Sequence, residues 1–188
     1  MGETAVQVSS NIPGPLLASL RRKYRFDVFV ETGTAAGHTT ELAAVMFDRV
    51  YTVELSKQQR AVAMGRLRDY SNIDFKLGES PKFIRDIRDD LDNRSVLFWL
   101  DAHWCGGERL GPECPLLEEL AAIGEQFPSR WVVLIDDARL FFNPPPPPHR
   151  PEDWPTFSQI TDAVHRWRLW STCRFEGDVI VIEANEQA

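Results

Sequence analysis

Basic charge is scarce in this chain: 21 lysines and arginines stand against 28 aspartates and glutamates, a net charge of -7. Nucleic-acid binders concentrate basic residues on one face, so this balance argues against a phosphate-backbone partner. Cysteine is scarcer still. Cys105, Cys114 and Cys173 are an odd set that builds no disulfide framework and fits a reducing compartment with free thiols. No apolar run approaches a membrane span, and the start MGETAVQVSSNIPG lacks the basic-then-apolar pattern of a secretory signal. The expectation is a cytoplasmic protein with neither membrane nor nucleic acid as partner. With 188 residues and 43% hydrophobic content, there is chain for one core but not for two ordinary domains, so residues 1–188 read as a single domain.

What is present is an alternation of short apolar runs with helical patterns. Pro15–Tyr24 reads as a helix inside an N-terminal segment 1–25. Phe26–Val30 reads as a strand, Thr39–Phe47 as a helix and Val50–Val53 as a second strand. The unit repeats: Gln58–Asp69 helix, Ile73–Leu77 strand, Pro81–Leu91 helix, Val96–Leu100 strand, Leu116–Phe127 helix, Trp131–Ile135 strand. Such alternation predicts an α/β fold of Rossmann-like, doubly wound type, with ligands beyond the carboxyl ends of the strands. Asn143–Pro148 carries five consecutive prolines within a proline-rich stretch 143–155; this is a stiff, extended loop, read as a rim of the site, with an SH3 or WW docking segment as the alternative. Phe157–Leu169 returns as helix. Arg174–Phe175 and Val179–Glu183, joined through Glu176, Gly177 and Asp178, form a closing antiparallel pair.

Glu31, Thr32, Gly33, Thr34, Ala35, Ala36, Gly37, His38, Thr39 and Thr40 join the first strand to a helix, where glycines let backbone approach a ligand and free N–H groups face it. Two glycines also suit an ordinary structural turn. Glu54, ending the next strand, adds an acidic group able to accept from both hydroxyls of a ribose, which points to a nucleotide-like ligand. An NAD site competes, but the G-x-G-x-x-G turn is absent.

Asp101 ends the fourth strand, and Asp136 with Asp137 ends the fifth, so neighbouring strands bring three carboxylates to one edge of the sheet. Such groups share protons, pair with bases or bind a hard cation, and Arg139 is the only adjacent base; a divalent ion is the economical answer. The alternative is that one aspartate caps a helix and another is solvated. A zinc site from Asp101, His103, Cys105 and Cys114 is a further alternative, weakened by spacing and by Gly106, Gly107 and Gly111, which suggest a mobile loop. Trp104, Phe141, Phe142 and Trp154 are candidates to wall an aromatic or sugar-like acceptor, or simply core residues.

The segments VETGTAAGHT, YTVELS, LGES, FWLDAHW and VVLIDDA resemble, in order and spacing from Val30 to Ala138, the class I S-adenosylmethionine-dependent methyltransferases. Within that class the likeness is to the catechol-type, magnesium-dependent O-methyltransferases and to macrocin-type enzymes. The resemblance implies a mostly parallel seven-stranded sheet with an antiparallel C-terminal hairpin. It also implies transfer of a methyl group from S-adenosylmethionine to a small-molecule acceptor, at a hydroxyl oxygen, with nitrogen acceptors open. By it, Glu31, Gly33 and Thr39 surround the methionine end, with Thr34 and Gly37 in the same loop. Glu54 takes the ribose, Ser80 the adenine with Glu79 nearby, and Asp101 borders both cofactor and metal. Asp101, Asp136 and Asp137 hold the cation, Mg²⁺ by first expectation. The chain departs at Ala35, where the family carries glycine, and at Cys105, where the catechol-type enzymes place a lysine base. His103 is therefore the candidate base, a structural histidine being the alternative. The short segment 1–25 before the first strand leaves the acceptor side without the long N-terminal cap of many relatives, which a homodimer would supply. Metal-independent transfer, other small-molecule chemistry as in cephalosporin-hydroxylase-like proteins, and non-catalytic nucleotide binding are the alternatives.

Overall fold

The computed structural model describes residues 12–104, 111–125, 130–167 and 171–184. Cys105, Gly106 and Gly107 lie outside that set.

Seven strands form one sheet in the order β3-β2-β1-β4-β5-β7-β6. They are β1 Val28–Thr32, β2 Arg49–Glu54, β3 Ile73–Leu77, β4 Ser95–Leu100, β5 Arg130–Ile135, β6 Ser171–Glu176 and β7 Val179–Ala184. The first five run parallel; β7 pairs antiparallel with β5 and with β6. The helices are α1 Gly14–Tyr24, α2 His38–Met46, α3 Lys57–Arg66, α4 Ser80–Asp86, α5 Leu116–Gly124 and α6 Phe157–Trp167. The expected doubly wound sheet and its closing hairpin are both present.

Central strands covered on both faces read as continuous apolar runs, because alternate side chains serve two cores. Phe29, Leu97, Trp99, Val132 and Leu134 point to the layer holding Leu17, Leu20 and Tyr24 of α1. Val30, Val96, Phe98, Leu100, Val133 and Ile135 point to the layer of α4, α5 and α6, with Ile84, Leu120 and Ile160. No helix among the described residues is long and apolar enough to cross a membrane.

Two local expectations need correction. The helix expected over Pro81–Leu91 stops at Asp86, and a 3₁₀ turn covers Arg88–Leu91. The tighter turn keeps both Ile87 and Leu91 buried while the chain bends through Asn93, at φ 56°, into β4. The proline-rich stretch is irregular through residue 150 but then makes a 3₁₀ turn over Pro151–Asp153, for which proline suits the first position. Pro145 within it is buried.

The order β2-β1-β4-β5 places the switch in connection direction between β1 and β4, and the crevice beyond their carboxyl ends is where such sheets bind ligands. There the two strands nearly touch. A Cβ on Gly33, at φ +83°, would lie 2.3 Å from the carbonyl oxygen of Asp101. Gly33→Ala is expected to lower unfolding free energy by about 3 kcal/mol or more, the range of strained backbone and overpacked contacts. Gly65→Ala, in the exposed interior of α3 with open space around it, should raise it by about 0.5–1 kcal/mol. Urea unfolding of both variants checks this; a neutral Gly33→Ala would contradict the packing.

Candidate active site

The loop after β1 is fixed by its own hydrogen bonds. The Gly33 and Thr34 N–H groups donate to the Val53 carbonyl at 3.0 and 3.1 Å, and Gly37 N–H donates to the Thr34 carbonyl at 2.8 Å. Gly37 precedes α2 at φ +78°, where a Cβ would crowd Leu67 and Ala63 of the adjoining helix region. Ala35 adopts φ 46°, the left-handed conformation a glycine would take more cheaply. The backbone therefore follows the glycine path despite the substitution, held by the Ala35 N–H donating to Glu54 Oε2 at 2.8 Å. Glu54 Oε1 accepts from the Ser56 N–H at 2.9 Å. Its carboxylate thus stands fixed between the β1 loop and the start of α3.

Glu31 turns inward. It is 1% exposed, and its Oε2 accepts from the Thr40 hydroxyl at 2.5 Å and the Thr52 hydroxyl at 2.7 Å, with Thr34 bonded to Thr52 in turn. It ties α2 and β2 to β1 from beneath the loop. Burial pushes its carboxyl up to about 7 although both hydroxyls oppose the shift. Thr39 is buried on α2, Glu79 is exposed immediately before α4, and Ser80 opens that helix with its side chain buried.

The three aspartates do meet, but with company. His103 lies between two of them, Nε2 at 2.9 Å from Asp137 Oδ2 and Nδ1 at 3.4 Å from Asp101 Oδ1. Arg139 Nη1 donates to Asp137 Oδ1 at 2.6 Å and also pairs with Asp178. Asp136 Oδ1 accepts the Asp137 N–H at 2.8 Å. Burial raises Asp101 well above the usual carboxylate range, and Asp136 and Asp137 beside it add to the shift. Burial likewise lifts Asp136 to about 6. Burial would raise Asp137 too, but the hydrogen bonds from His103 and Arg139 outweigh it and hold the group at about 2. Arg139 is thus not the only base at the cluster, as adjacency in sequence suggested: folding adds His103.

Two functional candidates escaped the sequence reading. Glu119 on α5 is 1% exposed, with Oε1 lacking any hydrogen-bond partner among the described residues. It lines a small pocket with His103, Cys114, Asp136, Phe141 and Ala102. Burial lifts it to about 7, against the hydroxyls of Ser80 and Thr32. Burial also pushes the Cys114 thiol up to about 12, so that sulfur remains protonated and unreactive. The second is Glu113, also 1% exposed, whose Oε2 gathers the Arg150 N–H at 3.1 Å, the Trp154 indole N–H at 3.1 Å and His149 Nδ1 at 3.2 Å. It pins the proline-rich rim to the loop after β4, and Trp154 then packs against His103 with ring centroids 5.3 Å apart. Of the proposed aromatic wall, Phe141 and Trp154 are buried beside the pocket and Trp104 rests on His149, whereas Phe142 is exposed and stacks on Phe157.

No family model matches the chain, and no curated protein matches its sequence. Solved structures do match its fold. A protein from Klebsiella pneumoniae assigned as an O-methyltransferase aligns at TM-score 0.69 with 14% identity, covering 99% of this chain and 84% of the other. The O-methyltransferase TomG from Streptomyces achromogenes, solved with S-adenosylmethionine, aligns at 0.59 with 16% identity over 92% and 79% of the two chains. A Bacillus cereus O-methyltransferase solved with S-adenosylhomocysteine aligns at 0.61 with 12% identity over 90% and 80%. The chain has the fold of these enzymes.

A buried carboxyl raised above its unfolded value binds protons more tightly when folded, so stability falls as pH rises from about 4.5 to about 7. Glu31 alone contributes on the order of 3 kcal/mol to that fall. Glu31→Gln should flatten the dependence by about 2 kcal/mol between pH 5 and pH 7 in urea unfolding, and an unchanged slope would contradict the assignment. Glu113→Gln should speed hydrogen exchange at the Arg150 amide and the Trp154 indole while the β4 and β5 amides stay protected; equal protection at the rim would show that Glu113 does not hold it.

Proposed function

We propose that this chain transfers a methyl group from S-adenosylmethionine to a small-molecule acceptor, at a hydroxyl oxygen. The observation that carries the reading is the β1–β4 switch, where the loop from Gly33 to Gly37 is joined through the Ala35 N–H to the fixed carboxylate of Glu54. The fold likeness to structures that hold S-adenosylmethionine or S-adenosylhomocysteine supports the choice of cofactor.

The residues suit that ligand. Each Glu54 oxygen takes one backbone N–H and keeps a lone pair for a ribose hydroxyl. The first N–H groups of α2 have no partners inside the helix and suit an amino-acid carboxylate, in the loop of Gly33, Thr34, Gly37 and Thr39. Glu31 braces this loop from below, and Glu79 with Ser80 borders the adenine side. When bound, S-adenosylmethionine supplies a methyl group on a positively charged sulfur.

On the chemical side, burial and the neighbouring Asp136 and Asp137 hold the Asp101 carboxyl well above the usual carboxylate range, at the residue whose backbone carbonyl faces Gly33. In its ionised form it takes the proton from the acceptor hydroxyl as the oxygen gains the methyl group and the sulfur–methyl bond breaks. His103 fixes the orientation of Asp101 and Asp137, and Asp136, which lines the pocket, positions the acceptor. A divalent ion would have to compete with two protein donors here: His103 and Arg139 each pair with one oxygen of Asp137. Among the described residues no group of three His, Cys, Asp or Glu side chains is placed to hold a metal. The steps above run without one. A non-catalytic nucleotide module would leave the raised carboxyl of Asp101 without a task.

Isothermal titration with S-adenosylmethionine and S-adenosylhomocysteine tests the reading. Binding should weaken by at least about tenfold in Glu54→Ala, the loss of one or two charged hydrogen bonds. Asp101→Asn should retain binding while losing methylation in a screen of catechols and other hydroxylated aromatics. No binding of either nucleotide to the wild type would overturn the proposal, and binding without methylation of any acceptor would favour the module.

A further inference from the structure

The aspartate cluster has the composition of a divalent-cation site and the wiring of an ion-paired one. Oxygen-ligand sites for Mg²⁺ or Mn²⁺ need carboxylate oxygens turned toward a shared centre, and a donor side chain seated on such an oxygen competes with the ion for it. Here Asp137 spends both oxygens, Oδ2 on His103 Nε2 at 2.9 Å and Oδ1 on Arg139 Nη1 at 2.6 Å. Asp136 spends Oδ1 on the Asp137 N–H. The imidazole stands between Asp101 and Asp137, in contact with both. The ring is not free to leave. It is 17% exposed and packs on Trp154, which Glu113 holds through the indole N–H.

We infer that His103 and Arg139 hold the Asp137 carboxylate where a divalent ion would otherwise engage it, and that removing His103 opens the cluster of Asp101, Asp136 and Asp137 to Mn²⁺ or Mg²⁺. The inference concerns the pocket of the proposed methyltransferase but stands without methyl transfer, because it is read from metal binding alone. It also departs from what the resemblance to magnesium-dependent enzymes implies. With Asp137 paired, Asp136 and Glu119 are the acidic groups left to line the pocket, which suits an acceptor that offers hydrogen-bond donors.

Manganese binding to the full chain tests this, by electron paramagnetic resonance of free Mn²⁺ and by calorimetry, with S-adenosylhomocysteine titrated separately as a check on the cofactor crevice. The wild type should show no saturable uptake up to about 1 mM, the weak end of oxygen-ligand sites. His103→Ala, and more so His103→Ala with Arg139→Gln, should gain one saturable site at least about tenfold tighter than that limit, and Asp136→Asn in the same background should remove it. Near-UV circular dichroism identifies any variant that has lost its fold, in which case His103→Gln, which keeps a polar side chain of similar length, takes its place. Wild-type Mn²⁺ binding that Asp136→Asn abolishes would overturn the inference, as would folded variants that gain no site. Cofactor binding that fails while these results hold would remove the methyltransferase reading and leave the pairing of Asp137 with His103 and Arg139 standing.

Discussion

The close passage of Gly33 against the Asp101 carbonyl is the contact on which the rest of this structure depends. It brings the ends of β1 and β4 together at the point where the sheet reverses its direction of winding, and no residue with a side chain fits there. Everything proposed to bind or react is referred to that junction. On one side the glycine loop runs into α2 and meets Glu54; on the other Asp101 carries the chain toward His103 and the ends of β5. Covalent continuity places Asp101 at the end of β4, and the parallel register of β4 with β5 places Asp136 beside it, with Asp136 N–H donating to the Leu100 carbonyl.

The electrostatics of the pocket follow from crowding acids into a space that water reaches poorly. Five carboxyl groups, those of Glu31, Asp101, Glu119, Asp136 and Asp137, are buried or nearly so at this end of the sheet. Four are pushed upward by desolvation, and only Asp137, which accepts hydrogen bonds from His103 and Arg139, goes down. Proteins tolerate such clusters by pairing, by sharing protons or by binding a cation. This chain combines the first two, with His103 and Arg139 as the bases and raised carboxyls as the proton carriers. A carboxyl kept basic beside a ligand crevice is what proton removal from a hydroxyl asks for.

Much of the frame was legible because it is written locally. Apolar runs such as Val96–Leu100 end abruptly in acid, and that single transition gives both the strand and its functional end. Gly33 and Glu54 were readable for the same reason: one lies in a strand-to-helix turn and the other closes the following strand. Ala35 shows a limit, since a tertiary contact, its N–H on Glu54, holds a conformation that its residue type disfavours. Glu119 and Glu113 lay beyond reach because one sits in an ordinary amphipathic helix and the other in a loop. Their burial, and the partners Ser80, Trp154 and His149, arise only when distant segments dock. The pairing of Asp137 was hidden likewise: His103 stands two residues after Asp101 in sequence but needs β5 in place to reach its second partner.

The central claim is that the junction of β1 and β4 holds a nucleoside whose sulfur faces the Asp101–His103 pair. A crystal structure of the chain grown with S-adenosylhomocysteine tests it most directly. The account predicts ribose hydroxyls on Glu54, the amino-acid end along Gly33 to Thr39, and the sulfur directed toward Asp101. A nucleoside bound elsewhere on the chain, or a crevice that stays closed over Glu54 at saturating ligand, would contradict it.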